Sequence, residues 1–194
     1  MINVDEIQIF NNNKATLKET SKDNHDGVDA FMTTSTLDAV DFDAVKDEYI
    51  KEMNLVEAPK SNDALFIGRN GEFYFIEFKN GVMKDKKIYD IRLKIFDSLL
   101  IFSDIIGEGI SFTRKSLSYI LVYNEEKNSS NGETNSNTQI SHSRELIAKY
   151  FIESKAKKKY IRFNLERFEK LYFKNVFTYT EEEFENRFIS SFSA

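Results

Sequence analysis

The chain has 194 residues, enough for one domain with a sizeable core, and its 41% hydrophobic and 30% charged residues are typical of a globular protein. It contains no cysteine, which excludes disulfides, thiolate metal sites and cysteine nucleophiles. The net charge is −5, but residues 61–194 carry 21 basic against 19 acidic side chains, so a polyanion is expected to approach this part.

The first 60 residues predict a polar segment followed by a helix. Residues 11–35 are rich in Asn, Asp, Thr and Ser, which is typical of a loop or an irregular hairpin. From Asp41 to Met53, apolar residues recur at spacings of three and four, which predicts a helix capped by Asp41 or Asp43. Glu52 falls on the apolar face of this helix and Glu48 at its edge. A carboxylate that points inward needs a partner, because burying it unpaired is costly.

Two strand-like runs follow, at 64–67 and 72–79, and the Asn-Gly pair between them is a hairpin signal. Side chains alternate along a strand, so Glu77 and Lys79 share one face and Phe78 lies on the other. Asp63 immediately precedes the first run. An antiparallel hairpin would therefore bring the carboxylates of Asp63 and Glu77 within reach of one ion, for which Mg²⁺ or Mn²⁺ is suited.

A long helix is predicted over 86–106, followed by a buried strand over 117–123. Five charged residues interrupt the apolar part of this helix, and the first six residues of the chain lack the features of a signal peptide. We therefore expect a cytoplasmic protein without a membrane-spanning segment. On the helix, Asp90, Lys94 and Asp97 share a face and are expected to form surface pairs, with contact between Lys94 and a phosphate as the alternative.

The last third predicts a loop over 124–141 and a helical extension over 143–194. Within the extension we expect a helix to about Lys157, a short strand over 160–163 and a helix over 164–173. Thr180 and Glu183 form the pattern of a capping box, which predicts the start of a final helix. The densest basic run of the chain is a candidate surface for nucleic acid, although a solvated helix end would have the same composition; it comprises Lys155, Lys157, Lys158, Lys159 and Arg162.

The acid before one strand and the Glu-x-Lys on the next resemble the PD-(D/E)xK nuclease superfamily, over about residues 42–123. The resemblance implies an α/β fold with a restriction-endonuclease-like core, in which a central mixed β-sheet is flanked by α-helices. Helices of the segment 143–194 would be additions to that core. Two features depart from the family pattern. Asn62 stands where the family has Pro, and only residues 54–62 are available for the strand that precedes the Asp-bearing one, so that strand is short, missing or supplied from the N-terminus.

The resemblance also implies residue roles. Asp63, Glu77 and Lys79 would be catalytic, with Lys79 positioning the attacking water. Asp63, Glu77, the backbone carbonyl of Phe78 and Glu52 would hold Mg²⁺ or Mn²⁺, with Glu48 as the second choice on the helix. The expected function is hydrolysis of phosphodiester bonds in DNA, with RNA as the lesser alternative, and a homodimer is left open.

A non-catalytic binding protein on the same fold is the competing hypothesis. It would be an immunity-type or antitoxin-like partner, or a decayed nuclease. Residues 1–60 carry 13 acidic and 6 basic side chains, a charge that repels nucleic acid and suits a basic protein partner.

Overall fold

The computed structural model describes residues 6–25, 28–69, 71–128 and 161–192. The predicted helix over 143–157 and the lysines of the basic run lie outside these ranges, as does most of the predicted loop over 124–141. The strands are β1 (Lys14–Thr16), β2 (Lys22–His25), β3 (Val28–Phe31), β4 (Asp38–Asp41), β5 (Ala64–Ile67), β6 (Phe73–Lys79), β7 (Leu117–Tyr123) and β8 (Val176–Thr180).

Helices connect these strands. They are α1 (Gln8–Asn12), α2 (Leu17–Thr20), α3 (Phe42–Ile50), α4 (Asp85–Ile106), α5 (Ile110–Ser116), α6 (Glu125–Asn128), a 3₁₀ turn (Glu166–Phe168), and a C-terminal helix made of α7 (Glu181–Phe184), a π-helical stretch (Glu185–Ile189) and α8 (Ser190–Phe192). None of the described helices is both long enough and apolar enough to cross a membrane.

Six strands form one mixed sheet in the order β1-β4-β5-β6-β7-β8, and β2 and β3 form a separate hairpin. Within this sheet, β1, β4, β5 and β6 pair antiparallel with one another in that order, whereas β6, β7 and β8 are parallel. Helix α4 is part of the crossover between β6 and β7, as parallel neighbours require. The expected fold class, an α/β protein whose mixed sheet is flanked by helices, is confirmed.

The central strands β6 and β7 are covered on both faces. On one face, Phe75 of β6 and Leu121 of β7 belong to the same core cluster as Ile91, Ile95 and Phe102 of α4. On the other face, alternate residues of the same strands pack against aromatic side chains of the C-terminal helix. Because the central strands lie between two apolar layers, a charged side chain within them, such as that of Glu77, is removed from water.

Local signals account for several element boundaries. The carboxylate of Asp41 accepts a hydrogen bond from the backbone N–H of Ala44 at 3.0 Å and caps α3, as predicted. Helix α4 ends at Gly107, whose φ of 68° is the left-handed conformation of a helix stop. The capping box of Thr180 and Glu183 is present at the start of the C-terminal helix.

Other boundaries differ from the expectations. Helix α3 ends at Ile50, so Glu52 lies beyond it rather than on its apolar face. The polar segment 11–35 contains a strand, a helix and the β2–β3 hairpin. The strand that pairs with β5 is β4, which precedes α3 in the chain. Of the three alternatives for the strand before the Asp-bearing one, the structure therefore has the strand supplied from the N-terminal side. Among residues 161–192, part of the segment that was expected to be helical is instead the strand β8, which pairs with β7 in the sheet.

Candidate active site

Asp63 immediately precedes β5 and lies next to β6, the other strand of the hairpin. Ala64 pairs with Ile76 in the antiparallel register, which places Asp63 beside Glu77. Oδ2 of Asp63 accepts the backbone N–H of Phe78 at 2.6 Å, and Oδ1 accepts Nζ of Lys94 at 2.9 Å. The carboxylate of Asp63 is therefore oriented by the neighbouring strand before any ligand is considered.

Glu77 is fully buried at the carboxyl-terminal end of β6. Its Oε1 lies 2.5 Å from Nζ of Lys79 and 2.8 Å from Nζ of Lys94. Both ammonium groups thus contact the same oxygen, whereas Oε2 has no hydrogen-bond partner among the described residues. A carboxylate held in this way is an electron-rich group with unused capacity for a ligand.

Lys94 joins the two acids. It extends from α4 with its side chain 19% exposed, and its single ammonium contacts both Asp63 and Glu77. Burial opposes the charged form, but the two carboxylates outweigh it and raise the pKa of Lys94 above its usual value. The ammonium form is the one that the geometry supports.

Burial also raises the pKa of Glu77, and the negative charge of Asp63 adds to that effect. The ammonium groups of Lys94 and Lys79 act in the opposite direction. The site is thus a group of two acids and two lysines, in which removing either lysine leaves the buried charge of Glu77 less compensated.

Further polar groups surround this centre. The hydroxyl of Ser61 donates to Asp43, whose pKa is raised mainly by burial. Both polar atoms of the buried Asn62 side chain lack a partner among the described residues, and so does the hydroxyl of Tyr119. Burial raises the pKa of Tyr119, reinforced by the negative charges of Glu77 and Asp63. Unpaired polar atoms this close to a charged centre are uncommon in folded proteins.

The charged centre borders a cavity of about 460 Å³. Its floor includes Asp63, Lys79 and Lys94, and one wall comes from the end of α2 and the start of the β2–β3 hairpin. The lining also includes Lys87 and Asp90 of α4. Asp63, Lys79 and Lys94 are therefore accessible from the cavity, while Glu77 lies beneath them.

The structure brings together four of the five residues predicted for the catalytic centre. Asp63, Glu77 and Lys79 converge, and Phe78 lines the cavity and anchors Asp63 through its N–H. Glu52 is exposed beyond the end of α3 and does not line the cavity. Within the described ranges, no group of three or more His, Asp or Glu residues has a metal-binding arrangement.

Glu48, the second choice as a metal ligand, and Arg162 of the basic run lie elsewhere. Glu48 accepts hydrogen bonds from the side chains of Asn12 and Asn13, at 3.0 and 2.8 Å, which engages both of its oxygens. The guanidinium of Arg162 donates to the Tyr123 hydroxyl and to the carbonyl of Asn128, both at 2.9 Å. Arg162 is thus engaged in contacts within the chain. Lys155, Lys157, Lys158 and Lys159 lie outside the described residues, so the basic run stays a prediction.

The expectation for Lys94 was wrong, because this residue pairs with Asp63 and Glu77 rather than with acids of its own helix. Asp90 instead pairs with Nζ of Lys60 at 2.8 Å, and Asp97 accepts the backbone N–H of Lys60 at 2.8 Å. One signal was available in the sequence. Lys94 immediately precedes the buried Ile95, at the edge of the apolar stripe, where a long side chain can reach inward.

Comparison with known proteins adds no further constraint: no family model, no curated protein and no solved structure matches this chain.

Proposed function

We propose that the protein is a metal-dependent nuclease that hydrolyses phosphodiester bonds in DNA, with RNA as the second candidate substrate. One observation carries the proposal. Carboxylate oxygens of Asp63 and Glu77, from two adjacent strands, converge on a single position where a cation sits, beside a cavity. That position now holds the ammonium of Lys94.

The donor set fits a divalent ion. Asp63 and Glu77 present hard carboxylate oxygens, and Oε2 of Glu77 has no hydrogen-bond partner in the described part of the chain. Mg²⁺ is commonly held by one or two carboxylates while water completes its coordination. Asp63 and Glu77 would hold the ion, and the carbonyl of Phe78 remains a predicted third ligand. The exposed position of Glu52 argues against its predicted role as a ligand.

When bound, the ion would supply the positive charge that lowers the pKa of a water and offsets charge on the phosphate. Lys79 keeps a second positive charge on the same face of β6 and lines the cavity, so it can orient that water or the phosphate. Lys94 would have to release at least one carboxylate. Its long side chain already borders the cavity and can turn toward an incoming phosphate.

One observation favours the competing hypothesis of a non-catalytic binding protein with a protein partner. The two lysines already neutralise the two acids, so the charged group is complete without an ion. In this hypothesis the buried network specifies the fold and has no catalytic role. The two hypotheses differ in whether an ion displaces Lys94.

Mn²⁺ binding and DNA cleavage, measured on the same preparations, test the proposal. We expect Mn²⁺ binding by calorimetry and Mg²⁺-dependent cleavage of mixed single- and double-stranded DNA, with Glu77→Gln losing both. Lys79→Met should lose cleavage but keep Mn²⁺ binding. Glu72→Gln, at the opposite end of β6, is the matched control and should behave as wild type. Absence of Mn²⁺ binding by the wild-type protein would overturn the nuclease proposal and favour the binding protein.

A further inference from the structure

The cavity is lined by five lysines, and four of them have an acidic partner. Lys79 and Lys94 contact the acids of the site, Lys60 pairs with Asp90 at 2.8 Å, and Lys22 pairs with Asp29 at 2.9 Å. The fifth is Lys87, in the first turn of α4. Among the described residues, no carboxylate lies within ion-pair distance of Lys87. Its charge is therefore available to a ligand in the cavity.

The ammonium of Lys87 occupies space that a glycine leaves open. Its Nζ lies 2.0 Å from the point where a Cβ would stand on Gly81, so the ammonium rests directly above the backbone of that residue. Any side chain at position 81 would push the ammonium away. Because the displaced atom is the end of a flexible chain, the displacement would cost the fold little.

The loop beneath Lys87 is held in place from the other side. The side chain of Asn128 donates to the carbonyl of Gly81 at 3.1 Å and accepts the N–H of Met83 at 2.7 Å. Asn80 accepts hydrogen bonds from Asn124 at 3.1 Å and from Lys127 at 3.0 Å. The loop that carries Gly81 is thus fixed, and with it the open space above Gly81 that the ammonium of Lys87 occupies.

The size of the cavity limits what can occupy it. Its volume of about 460 Å³ lies within the range of roughly 300–1,000 Å³ that encloses small molecules. A duplex would not enter such a space, but one nucleotide unit of a single strand would. A backbone phosphate of that unit is the anion that an unpaired ammonium would attract.

We propose that Lys87, supported by Gly81, binds a backbone phosphate of a single nucleic-acid strand whose nucleotide enters the cavity; this inference rests on the proposed nuclease function and specifies its substrate. The ligand chemistry is a phosphodiester oxyanion. The binding position lies on the wall of the cavity formed by α4 and the loop after β6, far in sequence from the predicted basic run.

Equilibrium binding of a short labelled oligothymidylate, in EDTA so that no cleavage occurs, tests this position. We expect Lys87→Gln to weaken binding by about fivefold at low salt and to reduce the slope of log K against log salt by about 0.7, the value for one lost phosphate contact with a single strand. Gly81→Ala keeps the charge of Lys87 but displaces it, and should also weaken binding. Lys86→Gln is the matched control, because Lys86 is the exposed neighbour that does not line the cavity.

The outcomes separate the two proposals. If Lys87→Gln and Lys86→Gln bind the oligonucleotide equally, or if the wild-type protein does not bind it, the phosphate position is wrong, whether or not the protein cleaves DNA. If binding depends on Lys87 and Gly81 but Mn²⁺ supports no cleavage, the phosphate position stands and the nuclease function fails. Melting temperatures of the variants should match that of the wild type, because residues 81, 86 and 87 lie outside both core clusters.

Discussion

The two ends of β6 carry the same kind of ion pair in opposite environments. At the amino-terminal end, Glu72 contacts Lys174 at 2.5 Å, with both side chains about two-fifths exposed. At the carboxyl-terminal end, Glu77 contacts Lys79 at the same distance, but Glu77 has no exposure at all. Distance alone therefore does not distinguish the two pairs.

Burial makes the difference between them. Hydrogen bonds from Lys174 and then from Tyr74 lower the pKa of Glu72, whereas burial raises the pKa of Glu77. An exposed pair of this type contributes about 0–1 kcal/mol to stability. A buried pair gains little net stability, yet removing one partner costs about 3–5 kcal/mol. The pair at the amino-terminal end is an ordinary surface contact, whereas the other belongs to a buried charged centre.

The largest effect is expected from Lys94→Met, which removes the ammonium shared by Asp63 and Glu77. In EDTA this variant should lose about 3–5 kcal/mol of unfolding free energy, because the buried Glu77 and the partly buried Asp63 lose their common partner. Urea denaturation measures the loss. Mn²⁺ should restore much of it by occupying the vacated position. Equal stability of the variant in EDTA and in Mn²⁺ would contradict the idea that an ion replaces Lys94.

Glu77→Gln should remove most of the activity with a smaller effect on stability. We expect cleavage to fall about a hundredfold or more, because the position of the ion loses one of its two carboxylates. Cleavage rates with Mg²⁺ and urea unfolding, measured together, would show this split. Glu72→Gln serves as the control at the other end of the strand, and an equal loss of activity in both variants would argue against a special role for Glu77.

Asn62→Pro tests the departure from the family pattern at the position before Asp63. The backbone N–H of Asn62 donates to Oγ of Ser98 at 2.8 Å. Proline cannot make this bond, so the variant should lose about 1–3 kcal/mol of unfolding free energy. Ser98→Ala removes the same bond from the other side. If the losses of unfolding free energy of the two single variants add fully in the double variant, proline destabilises the protein by another route than loss of this hydrogen bond.

The smallest effect is expected from Lys174→Met, which breaks the exposed pair with Glu72. Its cost should be about 1 kcal/mol or less at neutral pH. Because the folded protein lowers the pKa of Glu72, the contribution exists above the unfolded pKa and disappears as the pH falls through the folded pKa. Thermal unfolding of variant and wild type should therefore differ at neutral pH and converge in acid. A difference in melting temperature that grows in acid would contradict a stabilising ion pair between Glu72 and Lys174.

Local patterns in the sequence determined much of the fold near the site. The alternation of residues 72–79 and the turn before them predicted the β5–β6 hairpin, which places Asp63 beside Glu77. The spacing of apolar residues predicted α4 within one residue of its start, and Gly107 predicted its end. These features could be predicted because strand pleat, helix period and capping depend on residues only a few positions apart.

Contacts between distant parts of the chain were decided only by the tertiary structure. Lys94 reaches an acid 31 positions earlier, β4 supplies the strand beside β5 from before α3, and β8 joins the sheet from the segment expected to be helical. Lys87 lines the cavity where the loop after β6 leaves space for its ammonium at Gly81. The physical reason is the same in each case: periodicity indicates which face of an element is apolar, but the partner of a charged side chain depends on which elements the folded core brings together.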